Sequence, residues 1–219
     1  MCDAEPRLFK IEYQFGTLIV DEDIYYRIEK DKSKVPESFR NLKPIRGVSF
    51  LNKLVSCRFA GSDKKYTLAR LLMRPERNEM VDHINRNPLD NRRSNLRIVS
   101  PRQNSINRTP NSSTGFIGVS KTNNRGKMRL RTTFQPAGKR LHFGMNDDKP
   151  ENRIICALVH DKFVIESGDE LYAPMNFAIL KAEPFRSKLT AISIDEFREN
   201  SLKYLANKLG ISKLCEKQI

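Results

Sequence analysis

The chain has little of what builds a structural metal site or a disulfide framework. It contains only four cysteines and three histidines in 219 residues. The cysteines lie far apart, no two of them form a Cys-x-x-Cys pair, and the histidines show no spacing typical of a zinc cluster. We therefore predict no structural zinc and no disulfides, and we expect Cys57 and Cys156 to be core residues.

Long apolar segments are also missing. No run approaches the roughly 18 residues that span a membrane, and no signal peptide opens the sequence. The expected location is intracellular, cytoplasmic or nucleoid-associated, with no membrane partner.

Acidic residues are scarce in the middle of the chain. The whole sequence has 40 Lys and Arg against 26 Asp and Glu, a formal charge of +14. Residues 81–140 hold 13 Lys or Arg and only two acidic residues, Asp82 and Asp90, which gives this stretch a net charge of +11. Such a surface attracts polyanions, and counterion release makes its binding to nucleic acid steeply salt-dependent. The charge distribution predicts a nucleic-acid-binding protein.

The chemically informative residues are concentrated in 81–108, which hold one histidine, a carboxylate beside it and six asparagines. Carboxylate and amide oxygens suit Mg²⁺ or Mn²⁺, and a neutral imidazole can accept a proton near pH 7. The pattern predicts strands at 81–84 and 96–99 and a polar loop shaped by Asp90 and Asn91. It also predicts a helix that Ser100 caps, with Gln103 three residues on as the second member of a capping box. A metal ligand set beside a base indicates hydrolysis.

These residues resemble the HNH endonucleases with a ββα-metal (His-Me) finger, especially the phage and intron-encoded homing type. The resemblance rests on Asp-His-Ile-Asn at 82–85, Asp-Asn-Arg at 90–92, Asn-Leu-Arg at 95–97 and Gln-Asn at 103–104. It implies that His83 is the general base and that Asn95 orients it and braces the loop. It also implies that Asp82 and Asn104 bind one divalent metal, Mg²⁺ or Mn²⁺.

Three further expectations accompany this resemblance. Asn95 is expected to hydrogen-bond with the His83 ring or with the loop backbone. Adjacent residues on a regular strand point to opposite faces, so Asp82 and His83 can share a site only where the strand ends or bulges. Arg97 and Arg102 are expected to contact phosphate.

Residues 1–78 are predicted to be a β-rich scaffold. Its expected strands are 9–15, 17–20, 48–51 and 54–59, and 25–28 forms either another strand or a helical turn. A short Leu-rich helix at 67–74 ends before Pro75 and leads into the His83 strand.

A second resemblance follows a polar linker at 109–114. Segments 115–119, 126–131 and 139–144, a helix and Met175-Asn176-Phe177 resemble the ethylene-response-factor DNA-binding domain, a three-stranded antiparallel sheet on one helix. Alternation along the middle strand places Met128 and Leu130 on the packing face. The opposite face and the next strand supply the expected nucleic-acid-binding residues Lys127, Arg129, Arg131, Lys139 and Arg140.

Such a sheet can lie in the major groove, with arginines reaching guanines or phosphates. The chain has no tryptophan, whereas the family usually has several, so base-specific stacking contacts are not predicted. A solvated basic face without sequence specificity stays open as the alternative.

Helices are predicted after the sheet. Residues 150–167 should bury the inner face of the sheet, and His160 on this helix is expected at the surface or as a capping residue. Ser193 and Glu196 predict a capping box for one further helix that ends at Gly210. Its apolar stripe favours a docking or homodimer-forming helix over a helix-turn-helix.

Together these patterns predict an α+β protein with four regions. They are a β-rich region at 1–78, an HNH unit at 79–110, an ethylene-response-factor-like domain at 111–178 and a helical extension at 179–219. The predicted function is a metal-dependent endonuclease that hydrolyses double-stranded DNA by nicking or double-strand cutting, a homing-type enzyme of a phage or virus in its host cell. Two alternatives stay open: a non-catalytic, sequence-specific DNA-binding or regulatory protein, and an RNA-binding module.

Overall fold

A computed structural model describes residues 8–29, 31–107 and 112–211 of the chain. The chain divides into two compact units, Met1–Ser105 (unit 1) and Ile106–Ile219 (unit 2). Both mix short helices with small antiparallel sheets, which confirms the α+β class. None of the helices in the described ranges has the length and apolar character needed to cross a bilayer. The predicted linker at 109–114 falls partly outside the described residues.

Over its described residues, unit 1 contains three small sheets and three α-helices. In chain order its elements are β1 (Phe9–Tyr13), β2 (Gly16–Val20), α1 (Glu22–Ile28), β3 (Ile45–Leu51), β4 (Leu54–Phe59), β5 (Lys65–Thr67), α2 (Leu68–Met73), β6 (Met80–His83), β7 (Leu96–Val99) and α3 (Pro101–Ile106), whose last residue belongs to unit 2. The sheets are β1-β2, β3-β4-β5 and β6-β7. The predicted strands and Leu-rich helix are confirmed, and 25–28 proves to be helical.

A small apolar core holds the first two sheets of unit 1 to their helices. Leu18, Val20 and Ile24 come from β2 and α1, and they pack in one cluster with buried residues of β3, β4 and α2. Cys57 is one of these buried residues, so its predicted place in the core is confirmed.

Unit 2 begins with the predicted three-stranded sheet and its helix. The strands β8 (Val119–Asn124), β9 (Lys127–Phe134) and β10 (Leu141–Met145) are antiparallel in the order β10-β9-β8, and α4 (Pro150–Glu166) packs on them. The first strand starts later than the segment 115–119 suggested. Gly115 and Gly118 have φ of +80° and +71°, which is turn geometry and not extended backbone.

Every residue of α4 from Ile154 to Ile165 is buried, because other elements cover the side that the sheet leaves open. These are α5 (Phe185–Ala191), α6 (Ile194–Glu199) and α7 (Leu202–Leu209), whose buried side chains join the same core. Cys156 is fully buried there, as predicted. The apolar stripe of the C-terminal segment is thus used for docking within the unit.

The single last helix that the sequence predicted is wrong, since α6 and α7 are separate. Asn200 and Ser201 are extended, and the Ser201 side chain caps α7 by accepting a hydrogen bond from Tyr204 N. Only half of the predicted capping box forms: Ser193 accepts from Glu196 N, but the Glu196 carboxylate contacts Lys208 instead. A local cap at Ser201 therefore overrides the continuous apolar stripe.

His160 is buried, which corrects the expectation of a surface or capping residue. The residue is 3% exposed, and its ring Nδ1 forms a 3.1 Å hydrogen bond with Asp161 Oδ1. The Asp161 carboxylate also accepts from the backbone N–H groups of Asn176 (2.9 Å) and Phe177 (2.8 Å). Asn176 Oδ1 accepts from Ile117 N at 2.7 Å. The Met175-Asn176-Phe177 motif therefore ties the end of the domain to the turn before β8.

We expect Gly118→Ala to destabilise unit 2 strongly. Its φ of +71° disfavours any Cβ, and a Cβ there would lie 2.0 Å from Cδ2 of His160. The conformational cost is about 1–2 kcal/mol, and forcing the buried ring aside adds about 1–3 kcal/mol. Urea unfolding followed by circular dichroism measures the loss.

Gly126→Ala is the matched control for this change. Gly126 has φ of +80°, but nothing lies within 4 Å of its added Cβ, so it carries the conformational cost alone. Equal losses in the two variants would show that the His160 contact does not constrain position 118.

Candidate active site

The segment from β6 to α3 forms the predicted strand, loop, strand and helix. Asp82 pairs with Arg97 and His83 with Leu96 across the antiparallel strands. Ser100 N donates to Gln103 Oε1 at 2.8 Å, and Gln103 N donates to Ser100 Oγ at 3.2 Å. This capping box starts α3 directly after β7, as the sequence predicted.

The Asn-rich loop between the strands is held by side-chain amide groups, of which that of Asn95 is buried. Asn95 Oδ1 accepts from Asn85 N at 3.0 Å, and its Nδ2 donates to Asp90 O at 2.8 Å and to Asn85 Oδ1 at 3.0 Å. Asn85 Nδ2 in turn donates to Asp90 Oδ2 at 2.9 Å. The sequence left two partners open for Asn95, the His83 ring or the loop backbone. These hydrogen bonds join the Asn95 side chain to the loop.

His83 is the last residue of β6, where the chain turns and Arg86 N donates to His83 O at 2.9 Å. Burial lowers the pKa of His83 below its usual 6.5, and it outweighs a hydrogen bond with the Asn91 side chain and the charges of Asp82 and Asp90, which raise it. The ring is therefore neutral at pH 7, the form that can accept a proton.

Sequence reasoning gave Asn91 only a role in shaping the loop. In the structure it is 1% exposed, donates through Nδ2 to Pro88 O at 2.9 Å and hydrogen-bonds with the His83 ring. No sequence pattern pointed to this contact, because it depends on the path of the loop between residues eight positions apart.

Asp82 is 8% exposed and is engaged by Arg97. Its Oδ2 accepts from Arg97 Nε at 2.9 Å and from Nη2 at 2.7 Å. Arg97, which was expected to contact phosphate, therefore forms an ion pair with Asp82, which was expected to bind the metal. Half-buried Arg102 and Asn104 lie on α3, and Asn104 N donates to Ser100 O at 3.0 Å.

The donor chemistry at this segment suits a hard ion bound by few protein groups. Within the described residues, no group of three or more His, Cys, Asp or Glu side chains could hold a metal. Asp82 offers one carboxylate and Asn104 one amide oxygen. Mg²⁺ commonly binds through one or two carboxylates and completes its shell with water and substrate phosphate, so this set fits Mg²⁺ or Mn²⁺ better than a closed zinc site.

The first hairpin of unit 1 fixes the same loop from outside the β6–α3 segment. Ile19 N donates to Leu89 O at 2.9 Å, and Asn91 N donates to Ile19 O at 2.8 Å. Arg93 Nη1 lies 2.8 Å from carboxylate oxygens of both Asp21 and Asp23. The hairpin of β1 and β2, part of the region predicted as a β-rich scaffold, therefore holds Asn91, whose side chain hydrogen-bonds with the His83 ring.

A second group of expected site residues belongs to unit 2: Lys127, Arg129 and Arg131 lie on β9, whereas Lys139 and Arg140 lie in the loop before β10 and not on the strand that was predicted to carry them. All five are exposed. Arg131 Nη2 lies 3.2 Å from His142 Nδ1, and Arg140 Nη2 donates to Gln135 Oε1 at 3.3 Å.

The packing face of β9 differs from its prediction at one position. Leu130 is 1% exposed, as expected, but Met128 is 44% exposed. Met128 lies close to the turn at Arg125-Gly126, before the buried positions of the strand begin.

Comparison with known proteins gives a match for part of the chain. Residues 75–106 match a family model described as HNH endonuclease. No curated protein and no solved structure matches the chain. The match spans β6, the loop, β7 and α3, and it supports a nuclease that acts on DNA.

Proposed function

We propose that the protein is a divalent-metal-dependent endonuclease that hydrolyses phosphodiester bonds in double-stranded DNA. One observation carries the proposal: the residues that match the HNH endonuclease model are those that fold as strand, loop, strand and helix, with His83 at the end of the first strand. The homing type is proposed on the sequence resemblance alone.

In this proposal His83 takes the proton from the attacking water. The lowered pKa keeps the ring neutral, and a well-placed base of this kind contributes about 10²–10⁴ in rate. Asn91 holds the ring, and Asn95 holds the loop that carries Asn91.

Asp82 and Asn104 would hold Mg²⁺ or Mn²⁺. When bound, the ion offsets negative charge that develops on the phosphate oxygens. Arg97 and Arg102 would bind the phosphate on either side of the reacting bond.

We expect His83→Ala to reduce nicking of supercoiled plasmid in Mg²⁺ by about 10²–10⁴ while it leaves DNA binding intact. Ile98→Ala is the matched control, because it removes a 39% exposed side chain from the same strand pair. Equal nicking by wild type and His83→Ala would remove the assignment of the base. If the wild type bound DNA but failed to nick it in the presence of any divalent metal, the non-catalytic DNA-binding alternative would replace the proposal. Tighter binding to structured RNA than to duplex DNA at matched salt would favour the RNA-binding alternative.

Two partners compete for the Asp82 carboxylate in this proposal: the Arg97 guanidinium and the divalent cation. A guanidinium on Oδ2 satisfies a carboxylate that is otherwise costly to bury, and its positive charge repels a divalent cation at the same oxygen. A scissile phosphate would attract Arg97 away from Asp82. In the absence of DNA, Arg97 therefore weakens metal binding.

We expect Arg97→Ala to bind Mn²⁺ several-fold more tightly than the wild type without DNA, measured by electron paramagnetic resonance of free Mn²⁺. Arg92→Ala is the matched control: Arg92 pairs with Asp90 at 2.7 Å, and Asp90 is no proposed ligand. Unchanged or weaker Mn²⁺ binding by Arg97→Ala would contradict the competition.

The sheet of unit 2 is proposed to bind the DNA on which the nuclease acts. Support comes from its exposed cations, from its three-stranded antiparallel form and from the sequence resemblance to the ethylene-response-factor domain. The apolar stripe of α6 and α7 lies in the core of unit 2, so a homodimer would have to use other surfaces.

We expect Arg129→Ala to weaken duplex binding and to reduce the slope of log K against log salt by about 1, the loss of one phosphate contact. Lys203→Ala removes the same charge from an exposed position on α7 and should leave the slope unchanged. Fluorescence anisotropy over a salt series measures both. Equal slopes for the wild type and Arg129→Ala would exclude the sheet as the DNA contact.

A further inference from the structure

Unit 1 contains a cleft that the proposed nuclease chemistry does not use. Its volume is about 1050 Å³, and all its lining residues lie between Tyr13 and Val48, outside residues 75–106. It lies among the end of β1, α1, the 3₁₀ turn Glu37–Phe39 and the start of β3. Ligand sites for small molecules or single nucleotides have volumes of this order.

Aromatic rings form part of the cleft wall. Tyr13, Tyr26 and Phe39 line it, and all three are half-buried. The rings of Tyr26 and Phe39 stack with centroids 5.5 Å apart and planes inclined by 22°. Half-exposed rings of this kind offer a flat apolar surface on which a nucleobase can stack.

Positive charge dominates the rest of the wall. Its charged lining residues are four cations and one carboxylate, namely Arg27, Arg40, Lys43, Arg46 and Glu29. The first two are fixed by the backbone, since Arg27 Nε donates to Lys43 O at 3.0 Å and Arg40 Nε donates to Val35 O at 3.3 Å. Glu29 Oε1 accepts from Asp31 N at 3.1 Å, so the acidic group already has a partner.

We propose that this cleft binds an unpaired nucleotide of a DNA strand. The aromatic rings would take the base and the cations the phosphates on its two sides. An apolar ligand would make no use of the four cations, and a duplex would keep its bases stacked away from the rings. An unpaired nucleotide within a strand matches both features. The proposal goes beyond the nuclease assignment, because this binding requires neither metal nor cleavage.

The full-length His83→Ala protein in EDTA tests the site without strand cleavage. Its binding to fluorescein-labelled oligothymidylate is measured by anisotropy, in parallel with an abasic strand of the same length. Oligothymidylate should bind about ten-fold more tightly, because stacking of a base on aromatic rings has that magnitude. Equal binding of the two strands would overturn the base-binding role.

Competition with dTMP tests whether the ligand is a strand. Excess dTMP should displace the labelled oligothymidylate poorly, because dTMP lacks the second phosphate. Full displacement of the oligothymidylate by an equal concentration of dTMP would exclude a strand as the ligand.

Two substitutions in this background locate the contact. Phe39→Ala should weaken oligothymidylate binding about ten-fold, and Lys43→Ala should reduce the slope of log K against log salt by about 0.7, the loss of one single-strand phosphate contact. Lys64→Ala is the matched control. Lys43 lies 5.2 Å from the Phe59 ring centroid and Lys64 5.4 Å from that of Tyr66, but only Lys43 lines the cleft. Equal slopes for the two lysine variants would overturn the proposal.

Photocrosslinking keeps the test independent of any folding defect in Phe39→Ala. A strand that carries 5-iododeoxyuridine crosslinks to aromatic rings on which the base stacks. Mass spectrometry should find the label on Tyr13, Tyr26 or Phe39. Crosslinks confined to residues of unit 2 would place the single strand elsewhere and would refute the cleft, whatever the outcome of the nicking assays.

Discussion

The candidate active site depends on the buried side-chain amide of Asn95. It makes three hydrogen bonds to two points of the β6–β7 loop. Each contributes about 1 kcal/mol net, and leaving such buried groups unsatisfied costs more. The ion pairs of Arg93 with Asp21 and Asp23 hold the same loop, but the Arg93 side chain is 46% exposed, where a pair contributes about 0–1 kcal/mol. The amide, more than the ion pairs, therefore fixes the loop and with it the Asn91 contact to His83.

This arrangement suits a unit with a small apolar core. The core of unit 1 does not include the loop residues, except that Leu89 packs against its edge. A loop of polar residues cannot be positioned by apolar burial, so amide hydrogen bonds take over that role, and they hold only while water is kept out. Asp90, Asn91 and Asn95 are accordingly 1%, 1% and 7% exposed. The hairpin of β1 and β2 shields them and also bonds directly to the loop through Ile19.

Local signals in the sequence were sufficient to predict the strands and the helix that form the backbone of the site. Ser100 and Gln103 predicted the start of α3, because a capping box involves residues three positions apart. Asp82 beside His83 required a strand end, and β6 ends at His83. The contacts that depend on tertiary structure could not be predicted: Asn91 reaches the ring through the path of the loop, and Arg97 reaches Asp82 through cross-strand register. Likewise, the burial of His160 follows from the packing of α4 and from a close approach to Gly118.

The Asp82–Arg97 pair connects electrostatics to the order of binding. A buried carboxylate needs hydrogen-bond donors or a cationic partner, and for Asp82 that partner is the Arg97 guanidinium on the neighbouring strand. If the divalent ion and the phosphate each favour the state in which the pair is open, each must strengthen the binding of the other by the same factor. Metal would then be bound mainly where DNA is already present. In the proposed mechanism, a site with a single protein carboxylate would gain most from such coupling, because the phosphate would supply both a further oxygen ligand and the alternative partner for Arg97.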